Sequence, residues 1–106
     1  KGPFDLVVAC THMRMPNDYK LADECGGLID IILGGHDHHY EDTIRNEIRI
    51  LNSGTDFNDF TIVETRGRKD KESGSLLTTS QHVQIGQDSP EDLQVKEKVD
   101  KVQAIV

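Results

Sequence analysis

The sequence has no tryptophan and few large apolar side chains from which to build a core. Of its 106 residues, 35% are hydrophobic and 5% are aromatic, and the mean hydropathy is -0.53. A chain of this length folds as one domain with a modest core. We therefore expect much of the chain to be solvated surface, or to pack against another segment.

Cysteine is also scarce, and no apolar run is long enough to cross a membrane. Cys10 and Cys25 fall in a predicted strand and a predicted helix, so we interpret them as buried free thiols of a reducing compartment rather than as a disulfide. The sequence shows no signal peptide. These absences favour a cytoplasmic protein without a membrane partner, with secretion as the alternative because Lys1 rather than Met begins the sequence.

Positive charge is in deficit. Twelve Lys and Arg against nineteen Asp and Glu give a net charge of -7 and a pI near 5.0. This balance argues against a nucleic acid polymer or an anionic membrane as the main partner. It is compatible with a phosphate-bearing substrate, because bound divalent cations can reverse the local potential.

Histidine, in contrast, is concentrated in residues 34–40, Gly-Gly-His-Asp-His-His-Tyr, directly after the apolar run at 29–33. The run is typical of a buried strand, and the glycines allow a sharp turn after it. His36 and His38 alternate in an extended segment, so their side chains point the same way. Two imidazoles from one loop suit zinc, iron, nickel or manganese. The alternative is a polar turn that happens to contain histidine.

A second apolar run covers residues 4–10 and ends just before His12. It predicts another buried strand. A helix capped by Asn17 and ended by Gly26-Gly27 should follow. Its apolar side would consist of Tyr19, Leu21, Ala22 and Cys25.

The connection between these two strands has a consequence for the histidines. Two buried strands joined by a helix form a βαβ unit, whose parallel strands end at the same edge of the sheet. His12, His36 and His38 should therefore meet at the edge where open α/β sheets bind ligands.

After Tyr40 the pattern becomes that of an antiparallel β structure. We predict strands at 47–51, 60–65 and 76–85, a turn at 52–54 and a charged hairpin loop at 67–74.

The end of the chain carries one more histidine and a helix. We interpret His82 as a sheet-face residue rather than a ligand. Ser89 should cap the final helix, with Pro90 at its first position. Four valines at helical spacing would share one face: Val95, Val99, Val102 and Val106.

Two sequence blocks, at residues 7–12 and 29–38, resemble the late "TH" and "GGHxH" blocks of the calcineurin-like metallophosphoesterases. Residues 52–54 and 89–96 point to the 5′-nucleotidase-like branch. The resemblance implies an α/β fold that forms the C-terminal half of a four-layer αββα sandwich, a βαβ unit followed by antiparallel strands. Residues 1–86 would belong to the catalytic domain, and residues 87–106 would form a connector helix toward an absent C-terminal domain.

The resemblance also implies roles for particular residues. His12 and His36 would bind one ion, and His38 the other, of two divalent metal ions (zinc, manganese, iron or nickel). A hydroxide between the metals would hydrolyse a nucleotide or related phosphomonoester. Asp37 would brace the loop or an imidazole. Arg14 would contact phosphate, unless it is simply a surface residue.

The sequence departs from the family in lacking the early D-x-H, G-D and G-N-H-[DE] blocks, which supply the remaining ligands. No D-x-H precedes His12, and no Asn-His pair occurs. We therefore expect the chain to need a missing N-terminal half of the catalytic domain, and to be inactive alone.

Other interpretations stay open at this point. A metallo-β-lactamase pattern, H-x-H-x-D-H, fails because residues 39–42 are His-Tyr-Glu-Asp. A partial phosphoesterase fold could instead serve as a non-catalytic interaction module. A third hypothesis is a single metal ion held by His12, His36 and His38.

Overall fold

The fold combines a four-stranded sheet, here called the central sheet, with a two-stranded hairpin sheet and two helices. The computed structural model describes residues 3–67 and 77–106. The elements are β1 (Val8–Cys10), α1 (Met15–Glu24), β2 (Ile31–Leu33), β3 (Tyr40–Arg45), β4 (Ile48–Ser53), β5 (Asp59–Arg66), β6 (Leu77–Gln84) and α2 (Leu93–Gln103). The chain is thus a mixed α/β protein, as predicted.

The central sheet has the strand order β1-β2-β4-β3. The pairs β1/β2 and β2/β4 are parallel, and Ala9, Ile32 and Ile50 lie side by side across them. The predicted βαβ unit is confirmed, but both of its strands are shorter than the runs at 4–10 and 29–33. The prediction that β1 is buried was wrong, because β1 is an edge strand.

The two cysteines lie in different elements of the fold. Cys10 is exposed on β1, and Cys25 is half-buried at the end of α1. Both thiols are free, as predicted, but neither is a buried core residue.

Strand β3 was not predicted from the sequence. It pairs antiparallel with β4 through a turn at Asn46-Glu47, where both residues have positive φ, 52° and 63°. The Asn46 side chain donates to the Ala22 carbonyl at 2.9 Å, so this turn also satisfies the end of α1. A Cβ at Gly26 would lie 2.5 Å from Asn46 Nδ2, which explains why glycine follows the helix here.

One face of the central sheet packs against α1. The buried cluster there consists of Met15, Ala22, Ile32, Ile48 and Ile50. Helix α1 begins at Met15 with Arg14 at the cap position, so the prediction that Asn17 caps it was wrong. Asn17 instead lies in the first turn and donates its N–H to the Arg14 carbonyl at 2.9 Å.

The opposite face of the central sheet carries the antiparallel hairpin sheet of β5 and β6. Four polar residues join the two sheets in what we call the polar seam: Asp42, Arg49, Thr78 and Ser80. The Arg49 guanidinium donates to Asp42 Oδ1 at 2.6 Å and to Thr78 Oγ1 at 2.8 Å, and Ser80 donates to Asp42. The predicted loop at 67–74 lies, from residue 68 onward, outside the described residues.

Helix α2 begins at Leu93, later than predicted. Asp92 is its cap and accepts the Val95 N–H at 3.0 Å, whereas Ser89 accepts the Gly86 N–H at 3.2 Å, so the predicted cap at Ser89 was wrong. All 11 residues of α2 are exposed. Neither α1 nor α2, the helices in the part of the chain that the structure describes, could cross a membrane.

Candidate histidine site at the edge of the central sheet

Strands β1, β2 and β4 run in the same direction and end on the same side of the central sheet, here called the histidine edge. The ladder continues past the strand ends, since Thr11 N–H donates to the Leu33 carbonyl at 2.9 Å and Gly34 N–H to the Leu51 carbonyl at 2.8 Å. Two loops therefore leave the sheet side by side. In the first, His12 follows Thr11, and in the second, His36 follows Gly34-Gly35.

His12 and His36 contact each other at this edge. Their ring centroids are 5.3 Å apart and the rings meet edge to face, at 84°. Both side chains are exposed. A Cβ at Gly35 would lie 3.5 Å from His12 Nδ1, so the backbone of the Gly-Gly turn also packs against this ring. The parallel strands thus bring together two histidines that are distant in sequence.

His38 lies in the same loop and is exposed. Within residues 3–67 and 77–106, no three His, Cys, Asp or Glu side chains converge closely enough to hold a metal ion. The two imidazoles that are in contact have the ligand chemistry that suits a zinc-like ion. The metal-binding roles of His12, His36 and His38 as a set stay predictions.

Asp37 anchors the histidine loop, residues 36–39, to the start of α1. Its Oδ2 accepts the Met15 N–H at 2.8 Å. This hydrogen bond is the main reason why the pKa of Asp37 lies below its usual value, and the charges of Arg14, His36 and His39 act in the same direction, against a smaller effect of burial. Asp37 therefore braces the loop through the helix N-terminus, where a carboxylate is favoured.

Arg14, the residue predicted to contact phosphate, is exposed at the N-cap of α1. It is close enough to Asp37 for its charge to help lower the pKa of that carboxyl. This places a cation beside the histidine loop. A phosphate contact by Arg14 stays a prediction.

Asn52 holds the same loop from the sheet side, a role that sequence reasoning missed. Its side chain is 1% exposed, and Nδ2 donates to the carbonyls of Asp37 and His39, the latter at 2.9 Å. The sequence indicated only a turn at 52–54, but Asn52 belongs to β4. The two donated bonds flank His38 and fix the path of the loop.

Asp18 is the second residue that sequence reasoning missed. It is completely buried, and its Oδ1 accepts the Thr11 hydroxyl at 2.7 Å. Thr11 directly precedes His12. Asp18 thus connects α1 to one of the two loops that carry the histidine pair.

Two further histidines have partners of their own. His39 Nε2 lies 3.4 Å from Glu41 Oε1, and Glu41 also accepts the Tyr19 hydroxyl. His82 lies in β6, as predicted, where it contacts Asp59 Oδ2 at 2.5 Å and stacks on Tyr40 with ring centroids 3.7 Å apart.

Comparisons with known proteins give one partial similarity. The chain is 42% identical over 36 residues to a protein named apyrase from Tabanus yao. The similarity covers 34% of this chain and 6% of the apyrase. No protein-family model matches the chain, and no solved structure matches it. The comparisons therefore indicate a short segment that this chain shares with a protein named apyrase.

Proposed function

We propose that this chain is part of a metal-dependent phosphoesterase that hydrolyses nucleotides or related phosphomonoesters. The observation that carries the proposal is the contact between His12 and His36 at the C-terminal edge of parallel strands. Such edges are where open α/β sheets bind their ligands. The segment shared with an apyrase supports the substrate class.

The proposal extends to the architecture. Helix α1, the central sheet and the hairpin sheet would form part of a four-layer αββα sandwich, within a catalytic portion at residues 1–86. Residues 87–106 would connect to a further domain. Val8 and Leu33, each 39% exposed on the central sheet, support a missing N-terminal half that covers them. The free thiols support the expected cytoplasmic location.

In this proposal His12 and His36 bind one divalent ion, and His38 binds a second. Zinc, manganese, iron and nickel all suit such a site. When bound, the ions supply a hydroxide nucleophile and neutralise charge on the phosphoryl oxygens. The chain itself holds the histidine loop in place through Asp37 and positions the Arg14 cation for a phosphate oxygen.

Metal binding by the purified 106-residue chain tests the proposal. Zinc titration of the unmodified chain should show binding, and His12→Ala and His36→Ala should each weaken it at least tenfold. His82→Ala is the matched control, since His82 contacts Asp59 and should leave zinc affinity unchanged. Equal affinity in all four proteins would contradict the proposal.

Activity should be low in the same preparation. Among the described residues, only the imidazoles of His12 and His36 are in contact at the histidine edge, so we expect little or no hydrolysis of a nucleoside monophosphate with zinc or manganese present. Metal-dependent turnover by the chain alone would show that this expectation is wrong.

A non-catalytic interaction module is the second candidate. It is favoured by exposed apolar side chains away from the histidines, such as Phe57 at 90% and Leu28 at 58%. This candidate requires no metal. A single-metal site on His12, His36 and His38 would differ from both candidates, because the complete protein would bind one metal ion.

A further inference from the structure

Asp18 is an unusual residue for its position in the fold. It lies on the inner face of α1 between Met15 and Ala22, both of which are core residues, and none of its surface is exposed. A buried carboxyl group is costly unless it is hydrogen-bonded. An apolar residue would serve better at this position if only packing mattered, so the carboxyl group needs another explanation.

The contacts of Asp18 reach both loops that carry the histidine pair. Oδ1 accepts the Thr11 hydroxyl at 2.7 Å, one residue before His12. Oδ2 lies against Gly34, where a Cβ would be only 2.8 Å from it. The same carboxyl group therefore accepts from the side chain of the residue just before His12 and lies against the turn just before His36.

Oδ2 of Asp18 has no hydrogen-bond partner among residues 3–67 and 77–106. An unpaired buried acceptor costs about 1–3 kcal/mol. Such groups are rare in folded proteins and usually have a specific reason. Stability therefore does not explain why this residue is an aspartate.

We propose that Asp18, together with Thr11, is a positioning residue that sets the spacing of the His12–His36 pair. Its carboxyl group acts as a spacer between α1 and the two loops, with the Thr11 hydroxyl holding one loop and Gly34 lying directly on the other. The consequence for metal binding rests on the proposed function. The consequence for the ring contact does not.

Loss of this spacer should loosen the pair without unfolding the chain. Removing residues that orient metal ligands without binding the metal themselves typically lowers metal affinity 10–100-fold. We therefore expect zinc affinity to fall by about 10–100-fold in Thr11→Val, which keeps the shape of the side chain and removes its hydroxyl. Thr11→Ser is the matched control because it keeps the hydroxyl.

The experiment measures two properties of each variant. The first is the nuclear Overhauser effect between the ring protons of His12 and His36 in the metal-free chain, which reports the ring contact directly. The second is zinc affinity by titration. Both should be lost or weakened in Thr11→Val and Asp18→Ala and kept in Thr11→Ser, and far-UV circular dichroism should stay unchanged. If Asp18→Ala unfolds, Thr11→Val carries the test.

A pair of variants separates positioning from simple packing. Gly34→Ala places a methyl group against Asp18 and should disturb the fold. In Gly34→Ala/Asp18→Ala the clash is gone, so the fold should return. The ring contact and the zinc affinity should not return, because the spacer is still missing. Recovery of both would overturn the proposal. Gly86→Ala is the control, since a Cβ at Gly86 would meet no atom of the described residues within 4 Å.

The outcomes distinguish this proposal from the proposed function. If Thr11→Val and Asp18→Ala keep the ring contact and zinc affinity, the positioning role is overturned and the proposed function stands. If the variants lose the ring contact but the unmodified chain binds no zinc, the positioning role stands and the proposed function fails. Equal losses in Thr11→Ser and Thr11→Val would also overturn the positioning role. A lost ring contact with unchanged zinc affinity would leave the positioning role standing and would contradict the assignment of zinc to the His12–His36 pair.

Discussion

The two faces of the central sheet are built by different chemistry. Toward α1, the residues Ile32, Ile48 and Ile50 are at most 1% exposed and make an apolar contact. Toward the hairpin sheet, the contact depends on the polar seam around Arg49 and Asp42. Apolar packing is strong but undirected. Hydrogen bonds of fixed geometry instead determine how one sheet is oriented on the other.

The largest expected effect is on the apolar face. Ile50→Ala removes buried methyl groups from a side chain with 0% exposure, and we expect a loss of about 3–4 kcal/mol in the free energy of unfolding. Urea denaturation measures it. Ile44→Ala, on neighbouring β3 but 61% exposed, is the control and should cost less than about 1 kcal/mol. Similar losses in both variants would contradict the assignment of the core to this face.

The next effect tests the polar seam. Arg49→Met leaves Asp42, whose side chain is only 17% exposed, without its cationic partner. We expect a loss of about 2–3 kcal/mol, less than for a completely buried pair. Arg49→Met/Asp42→Leu should recover most of this loss, because no unpaired charge is left. Simple additivity of the two single variants in a double-mutant cycle would mean that the two residues do not interact.

A smaller effect is expected from Asn52, a buried polar residue next to the apolar cluster of Ile48 and Ile50 in β4. Asn52→Leu has a similar volume but leaves the carbonyls of Asp37 and His39 without their donor. The free energy of unfolding should fall by about 1–2 kcal/mol. Amide hydrogen exchange in residues 36–39 should accelerate more than exchange in β4. Asn17→Leu on the exposed side of α1 is the control. Equal exchange rates in both variants would contradict the role of Asn52 in holding residues 36–39.

The smallest effect concerns pH. The pKa of Tyr19 is raised above its usual value near 10, mainly by the hydrogen bond that its hydroxyl donates to Glu41. The folded state therefore favours the neutral phenol. Its contribution to stability is complete below pH 10 and is lost as the pH rises above that value. The urea midpoint should stay level up to about pH 10 and fall above it, the onset being set by the ordinary tyrosine pKa, and Tyr19→Phe should fall less steeply. Parallel curves would contradict this linkage.

Sequence patterns predicted the part of the fold that depends on local signals. Two apolar runs separated by a helical pattern were enough to predict the βαβ unit and the edge at which His12 and His36 meet. Strand β3 was missed because its residues are mostly polar, and because the partners of Glu41 and Asp42 on α1 and on the hairpin sheet are far away in sequence.

The predicted cap at Asn17 failed for a related reason. The first N–H of α1 is satisfied by Asp37, a residue 22 positions later, so no local capping side chain is required. Distant partners of this kind leave no signal in the sequence near the helix.

The buried polar residues of the site could be found only in part. Asp18 lies at helical spacing with Met15 and Ala22, so the sequence could have indicated a carboxylate within the apolar side of the helix. Asn52 carried no such hint, because in the sequence it directly follows the predicted strand at 47–51, as a turn residue would.

The turn between β3 and β4 has a consequence for how this sequence can vary. Asn46 adopts the left-handed backbone that the turn requires and also donates to the end of α1, and its amide occupies the space that a Cβ at Gly26 would need. Glycine is the usual favourite in such turns. In this turn, glycine at position 47 would fit the positive φ without strain, but glycine at position 46 would remove the hydrogen bond to Ala22. Any side chain at position 26 would displace the Asn46 amide. Positions 26 and 46 must therefore change together, so substitutions at these two sites will be epistatic.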